Sequence, residues 1–139
     1  MKNLALLLPM LAVAAGCAQT PREQARAAAE AERTEQKFRA ELAGLVPGRT
    51  ASCLNTSETR SAQTRGYGSK LVYVVSPGLK YVTDTGAGCE GVGNRDDILI
   101  TTTPTGQLCR GDIARTIDRT SRFPTGSCSF GDFTPYRRP

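Results

Sequence analysis

The rhythm of apolar and polar positions changes twice along this chain. Residues 4–15, LALLLPMLAVAA, are apolar throughout. From residue 20 the text becomes TPREQARAAAEAERTEQKFRAELAGL, where charged residues alternate with alanine and nothing large and apolar appears until Phe38. Thr20 followed three residues later by Glu23 is a capping box, and Pro21 suits the first helical position. Ala, Glu, Arg and Gln favour helix, Glu35 and Arg39 pair at i,i+4, and Gly44 is a natural stop. The pattern predicts a helix over about residues 21–43. Phe38, Leu42 and Leu45 recur at helical spacing, so the second half is expected to dock while the first half stays solvated.

VPGRT (46–50) marks a boundary. Beyond it Thr, Val, Ile, Tyr, Gly and Pro dominate, and short alternating runs stand between turn signals. KLVYVV (70–75) predicts a strand and LKYVTDT (79–85) its hairpin partner across SPG. DILITTT (97–103) predicts another, PTG a turn, and QLCRGDIARTID (107–118) the return. ASCLN (51–55) is expected to supply a first strand and CSFGDFTPY (128–136) a last one. The expected fold is mainly β, a small antiparallel meander or barrel stapled by two disulfides and preceded by one N-terminal α-helix.

The apolar run is too short to span a bilayer and follows a basic start, MKN, as in a signal peptide. Ala14, Ala15 and Gly16 then precede Cys17, which resembles a bacterial lipobox with Ala where Leu is usual. The division expected is signal peptide 1–16, lipid-anchored helical arm 17–45 and β domain 46–139. Lipidation at Cys17, followed by Ala18 rather than Asp, implies an anchor in the outer membrane, facing the periplasm. Ordinary secretion, with cleavage after Ala18, would leave a soluble periplasmic or secreted protein.

With Cys17 set aside, Cys53, Cys89, Cys109 and Cys128 remain, an even number in an exported chain. Three connectivities exist. The favoured pairs are Cys53–Cys128, tying the first strand to the last, and Cys89–Cys109, pinning a glycine-rich loop to the neighbouring hairpin. A chain of 139 residues with four Phe, four Tyr and no Trp builds only a small, mostly aliphatic core, so such staples are expected. The net charge is +5, with residues 18–45 neutral and residues 46–139 holding twelve basic and eight acidic residues. That is a mildly basic surface; the arginines are scattered and no stacking motif accompanies them, so nucleic acid is not an expected partner.

No histidine is present. This removes Ser-His-Asp and Cys-His catalysis and His-containing zinc sites, and without a Cys-x-x-Cys neither a zinc knuckle nor a thioredoxin-like site is indicated. GAGCEG (86–91) fits G-x-G-x-x-G but runs into a strand and is expected to open no helix, so a tight loop around Cys89 is expected and no nucleotide. RGD (110–112) is expected at the start or middle of a strand. Asp84, Glu90, Asp96 and Asp97 crowd one loop without an EF-hand spacing, and Asn55-Thr56-Ser57 is a sequon relevant only to a eukaryotic secretory path. No catalytic, metal or cofactor residue is assigned.

LCRGDIAR (108–115), FPTGSCSFGDFTPY (123–136) and the upstream GAGCEG resemble a family of small exported Gram-negative proteins sharing a four-cysteine layout and a domain of unknown function. The resemblance covers about residues 50–137, through the pattern LC-x-GD then SC-x-x-G-x-F-x-P. It implies export and a compact disulfide-bonded domain, and no catalytic residues. The expected function is non-catalytic, an interaction or structural module with a membrane anchor and an envelope protein partner. The alternative is a small secreted inhibitor of a hydrolase, lysozyme or protease, presenting the loop Phe123-Pro124-Thr125-Gly126. A small His-free hydrolase working through carboxylates is the third.

Overall fold

The structure is a computed structural model that describes residues 19–139; Cys17 and the leader lie outside the described residues. Helix α1 (Pro21–Glu41) begins where the capping box is written. Glu23 N–H donates to Thr20 Oγ1 at 3.3 Å, and Thr20 N–H donates back to Glu23 Oε2 at 2.7 Å. The helix stops at Leu42, and Gly44 takes φ +76°, the left-handed exit that favours glycine.

Ten strands follow, joined into three antiparallel sheets. The first sheet has the order β1-β10-β5-β4-β3, with β1 Val46–Pro47, β3 Gln63–Tyr67, β4 Lys70–Ser76, β5 Leu79–Asp84 and β10 Phe133–Arg137. The second pairs β2 (Cys53–Asn55) with β7 (Gln107–Cys109). The third has the order β6-β8-β9, from Ile98–Thr101, Ile113–Ile117 and Pro124–Ser129. Two single-turn helices intervene, α2 (Thr56–Thr59) and α3 (Gly91–Asn94). The architecture is thus mainly β and antiparallel, with one long N-terminal helix and two disulfides.

Strand alternation decides what each face of the first sheet meets. The register Thr64↔Tyr73↔Tyr81↔Pro135 and Gly66↔Leu71↔Thr83↔Phe133 puts these residues on one face. There Leu71, Tyr73, Tyr81 and Phe133 join Leu54, Leu108, Ala114, Val92 and Phe130 in a single buried cluster. The opposite face carries Arg65, Tyr67, Lys70, Val72 and Lys80, and α1 lies against it. Phe38 meets Tyr67 at 5.8 Å between ring centroids, Lys70 Nζ stands 4.9 Å from the Phe38 ring centre, and Leu42 is buried. Residues 21–33 of α1 are exposed throughout, so the second half of the helix docks and the first projects.

The structure corrects the disulfide pairing. The bonds are Cys53–Cys109 and Cys89–Cys128, not Cys53–Cys128 and Cys89–Cys109. Cys53 lies directly opposite Cys109 in the β2–β7 ladder, with Cα atoms 4.0 Å apart. Cys128 sits on the inner face of β9, where the glycine-rich loop passes: a Cβ on Gly88 would collide with the Ser127 carbonyl, and one on Gly126 with the Gly88 carbonyl. Those two bare backbones let loop and strand touch, which brings Cys89 to Cys128.

Two expected strands are each two strands. The run 107–118 breaks at a turn where Asp112 N–H donates to the Cys109 carbonyl (3.0 Å) and Cys109 N–H to Asp112 Oδ2 (2.7 Å). RGD therefore forms a turn rather than part of a strand, with Arg110 paired to Asp132 at 3.2 Å. The run 128–136 breaks at Gly131-Asp132, sending β9 to the third sheet and β10 to the first. A helical turn, α3, also opens after GAGCEG where the sequence pointed only to a strand.

Candidate functional site

The third sheet is two-faced by the same alternation. Leu99, Thr101, Ala114, Thr116 and Cys128 share its inner face, where Ala114 and Thr116 are fully buried. The outer face presents Ile98 and Ile100 from β6 and Ile113, Arg115 and Ile117 from β8. Ile100 is 42 % and Ile113 58 % exposed, and among the described residues nothing covers them. Between them runs a shallow groove of about 270 Å³ lined by Ile100, Thr102, Ile113 and Arg115. Ile98 and Ile117 on the same face are half-buried; branched aliphatic side chains suit a strand, but two left exposed side by side are more than sheet formation requires.

The hairpin joining β8 to β9 ends in Phe123, 72 % exposed. It is a fixed turn. Asp118 Oδ1 accepts from Thr120 N–H (2.9 Å), Ser121 N–H (2.6 Å) and Ser121 Oγ (2.9 Å). Asp118 N–H donates to the Phe123 carbonyl, and Arg122 N–H to that of Asp118. Arg122 sits at φ +63°, unusual for a residue with a side chain. Ser121 backbone and hydroxyl donors, then Thr120, hold the Asp118 carboxyl below its ordinary value, so the turn is charge-stapled at neutral pH. An aromatic ring held out on a rigid turn enters a contact with little ordering left to lose.

Behind this hairpin Asp97 is buried, with no exposed side-chain surface, and its Oδ2 accepts from Thr125 Oγ1 (2.7 Å) and Arg95 Nη2 (2.9 Å). The Thr125 bond first, then Arg95, keeps it ionised against the cost of burial. A Cβ on Gly91 would strike this carboxylate, and one on Gly93 the backbone of Gly66. Within the G-x-G-x-x-G stretch, then, Gly86 takes a left-handed turn at φ +62°, Gly88 lets the backbone of β9 approach, and Gly91 makes room for the Asp97–Arg95 pair.

The other sequence candidates separate in space. Asp84 receives Gly86 N–H, Glu90 receives Gly88 N–H, and Asp96 pairs with Arg119 at 2.9 Å; no group of three metal-ligating acidic, His or Cys side chains forms among the described residues. Asn55 caps α2, its side chain accepting from Ser57 N–H at 2.9 Å. Of the residues named from sequence, Phe123 alone belongs to the exposed surface described above. The four isoleucines were missed, although Ile98/Ile100 and Ile113/Ile117 stand two and four apart, in phase for one strand face. Comparison of the chain with protein-family models, with curated proteins and with solved structures finds no match.

Proposed function

We propose that this chain is an envelope lipoprotein, held by Cys17 at the periplasmic face of the outer membrane. Its domain is a non-catalytic interaction module that binds an envelope protein through the outer face of β6 and β8. The observation that carries this reading is the pair of exposed isoleucines, Ile100 and Ile113, on the sheet whose β8–β9 hairpin also exposes Phe123. Exposed apolar side chains on a sheet face, with an exposed aromatic on a hydrogen-bonded turn of the same sheet, are what a docking surface offers. The projecting half of α1 supports the tether: residues 21–33, exposed throughout, span on the order of 20 Å. No helix among the described residues is long and apolar enough to cross a membrane. The likeness to exported four-cysteine domains agrees with this setting.

Two measurements test the reading. Intact mass of the membrane fraction is expected to give a chain starting at Cys17 with acyl mass added; a soluble chain starting at Gln19 refutes the anchor. Crosslinking and pulldown are expected to capture one partner that is lost in Ile113→Asp, and the reading fails if capture is indifferent to that change.

The second reading, a small secreted inhibitor of a hydrolase, rests on Phe123 alone. It predicts inhibition of a lysozyme or protease that disappears in Phe123→Ala. A panel with no inhibited enzyme ends it.

A further inference from the structure

A second concavity lies on the opposite side of β6 from the isoleucines, between α2 and the sheets. It is a cleft of about 260 Å³, large enough for a small organic molecule. Leu99 and Leu108 give it an apolar lining, Thr64 and Thr101 also line it, and Arg60 follows α2 at its exposed rim. The hydroxyls of Thr56 and Thr59 also border it but are engaged, with the carbonyls of Gly106 (2.8 Å) and Thr56 (3.4 Å). The bond to Gly106, with Thr56 N–H donating to the same carbonyl at 3.0 Å, holds α2 in place as a wall.

Three features give the cleft a chemical preference. First, among the described residues no carboxylate lines it; Glu58, on α2, is bonded to the Tyr81 hydroxyl instead. Second, Arg60 has no ion pair among the described residues, and a guanidinium is a planar fork that matches an oxyanion. Third, Tyr73 borders the cleft, is 5 % exposed, and its hydroxyl has no hydrogen-bond partner among the described residues. A buried hydroxyl without a partner is an uncommon arrangement. A ligand oxygen that displaces a neighbouring side chain slightly would give it one.

We propose that this cleft binds a small carboxylate with a short apolar body. The carboxylate meets Arg60 and the hydroxyls of Thr64 and Thr101, and the apolar part lies on Leu99 and Leu108. Two sources share that chemistry, a free short-chain acid and the last residue of a peptide. The site is independent of the proposed protein contact, because side chains on the two sides of β6 point apart.

The test is a titration of the isotope-labelled full chain, followed by backbone amide shifts. The probes are N-acetyl-L-alanine, its carboxamide and butanoate. The expected result is saturable shifts confined to Thr64, Leu99, Thr101 and their neighbours, with the carboxamide weaker by about tenfold or more, the usual worth of a charge-assisted pair. Arg60→Gln, at an exposed position that leaves the core intact, is expected to show the same loss, and Tyr73→Phe a smaller one. A preference for N-acetylalanine over butanoate assigns the peptide terminus; the reverse assigns the free acid. Absence of shifts overturns the proposal, as do a carboxamide that binds equally well and binding unchanged in Arg60→Gln.

Discussion

On one face of the five-stranded sheet, Leu71, Tyr73, Tyr81 and Phe133 pack into the buried cluster, which the Cys89–Cys128 bridge enters. On the other face, α1 is held largely by one carboxylate. Glu41, its side chain 8 % exposed, accepts from Arg65 Nη1 (2.6 Å), Lys80 Nζ (2.6 Å) and the Tyr67 hydroxyl (2.8 Å). Lys80 also donates to the Glu41 carbonyl, placing a cation where the helix dipole is negative. Phe38 and Leu42 add the apolar part. The same sheet is therefore covered twice, once by apolar packing and a covalent bond and once by an ionic clasp. The first kind of cover is insensitive to pH and salt; the second is not.

The largest effect that would separate the two faces comes from matched phenylalanines. Phe133 is 1 % exposed, and Phe133→Ala is expected to cost about 3–5 kcal/mol. Phe38 is half-buried against Tyr67, and Phe38→Ala is expected to cost about 1–2 kcal/mol, in proportion to the smaller area it buries. Denaturant unfolding of both variants measures this, and equal losses would break the comparison. Replacing Cys89 and Cys128 together by alanine comes next. That bridge spans 39 residues, and its removal is expected to cost about 2–4 kcal/mol while α1 stays docked.

The clasp gives a smaller effect with a distinctive pH dependence. Burial alone would raise the Glu41 pKa, but the donors on Lys80, Tyr67 and Arg65 outweigh it and hold the carboxyl below its ordinary value of 4.5. A folded value below the unfolded one means that the stabilisation is complete above pH 4.5 and is lost as pH falls through the depressed value. Amide exchange around Phe38–Leu42 is expected to accelerate in that acid range while β4 stays protected. Glu41→Gln is expected to give the same release at neutral pH and to cost about 1–3 kcal/mol. That is less than for a fully buried pair, because Arg65 is 44 % exposed. An α1 that stays protected in Glu41→Gln would show that Phe38 and Leu42 suffice.

The two faces were unequally legible in the sequence. The start of α1 is local chemistry, Thr20, Pro21 and Glu23, and was readable to the residue. β4 and β5 announce themselves as β-branched and aromatic runs around Pro77-Gly78. β3, QTRGY, was missed because its helix-facing residues are polar and Gly66 stands at an inward position. That glycine is there because α3 packs on it through Gly93, a long-range requirement. The disulfides failed for a related reason. Reading 128–136 as one strand left β9 and β10 undivided, and pairing cysteines from strand order then placed Cys128 beside Cys53. The exposed isoleucine face was hidden because its isoleucines look like core. Only the pairing of β6 with β8 shows that Leu99 and Ala114 turn inward and leave Ile98, Ile100 and Ile113 outside.

The smallest stability effect is expected where the proposed function is concentrated. Ile113 at 58 % exposure and Phe123 at 72 % contribute little to the core, so Ile113→Ser and Phe123→Ala are expected to stay within about 0.5 kcal/mol of the parent. Both are nevertheless expected to weaken partner capture by about tenfold or more, as truncated anchor residues do at an interface. This sets a third region beside the two faces of the sheet: apolar like the first, yet energetically idle in the isolated chain. If Ile113→Ser instead costs as much as Phe38→Ala, these isoleucines belong to the domain's own packing. If stability is unchanged and capture is unchanged, the face is neither core nor contact, and the docking proposal falls. Only unchanged stability together with lost capture assigns the exposed isoleucines to a partner.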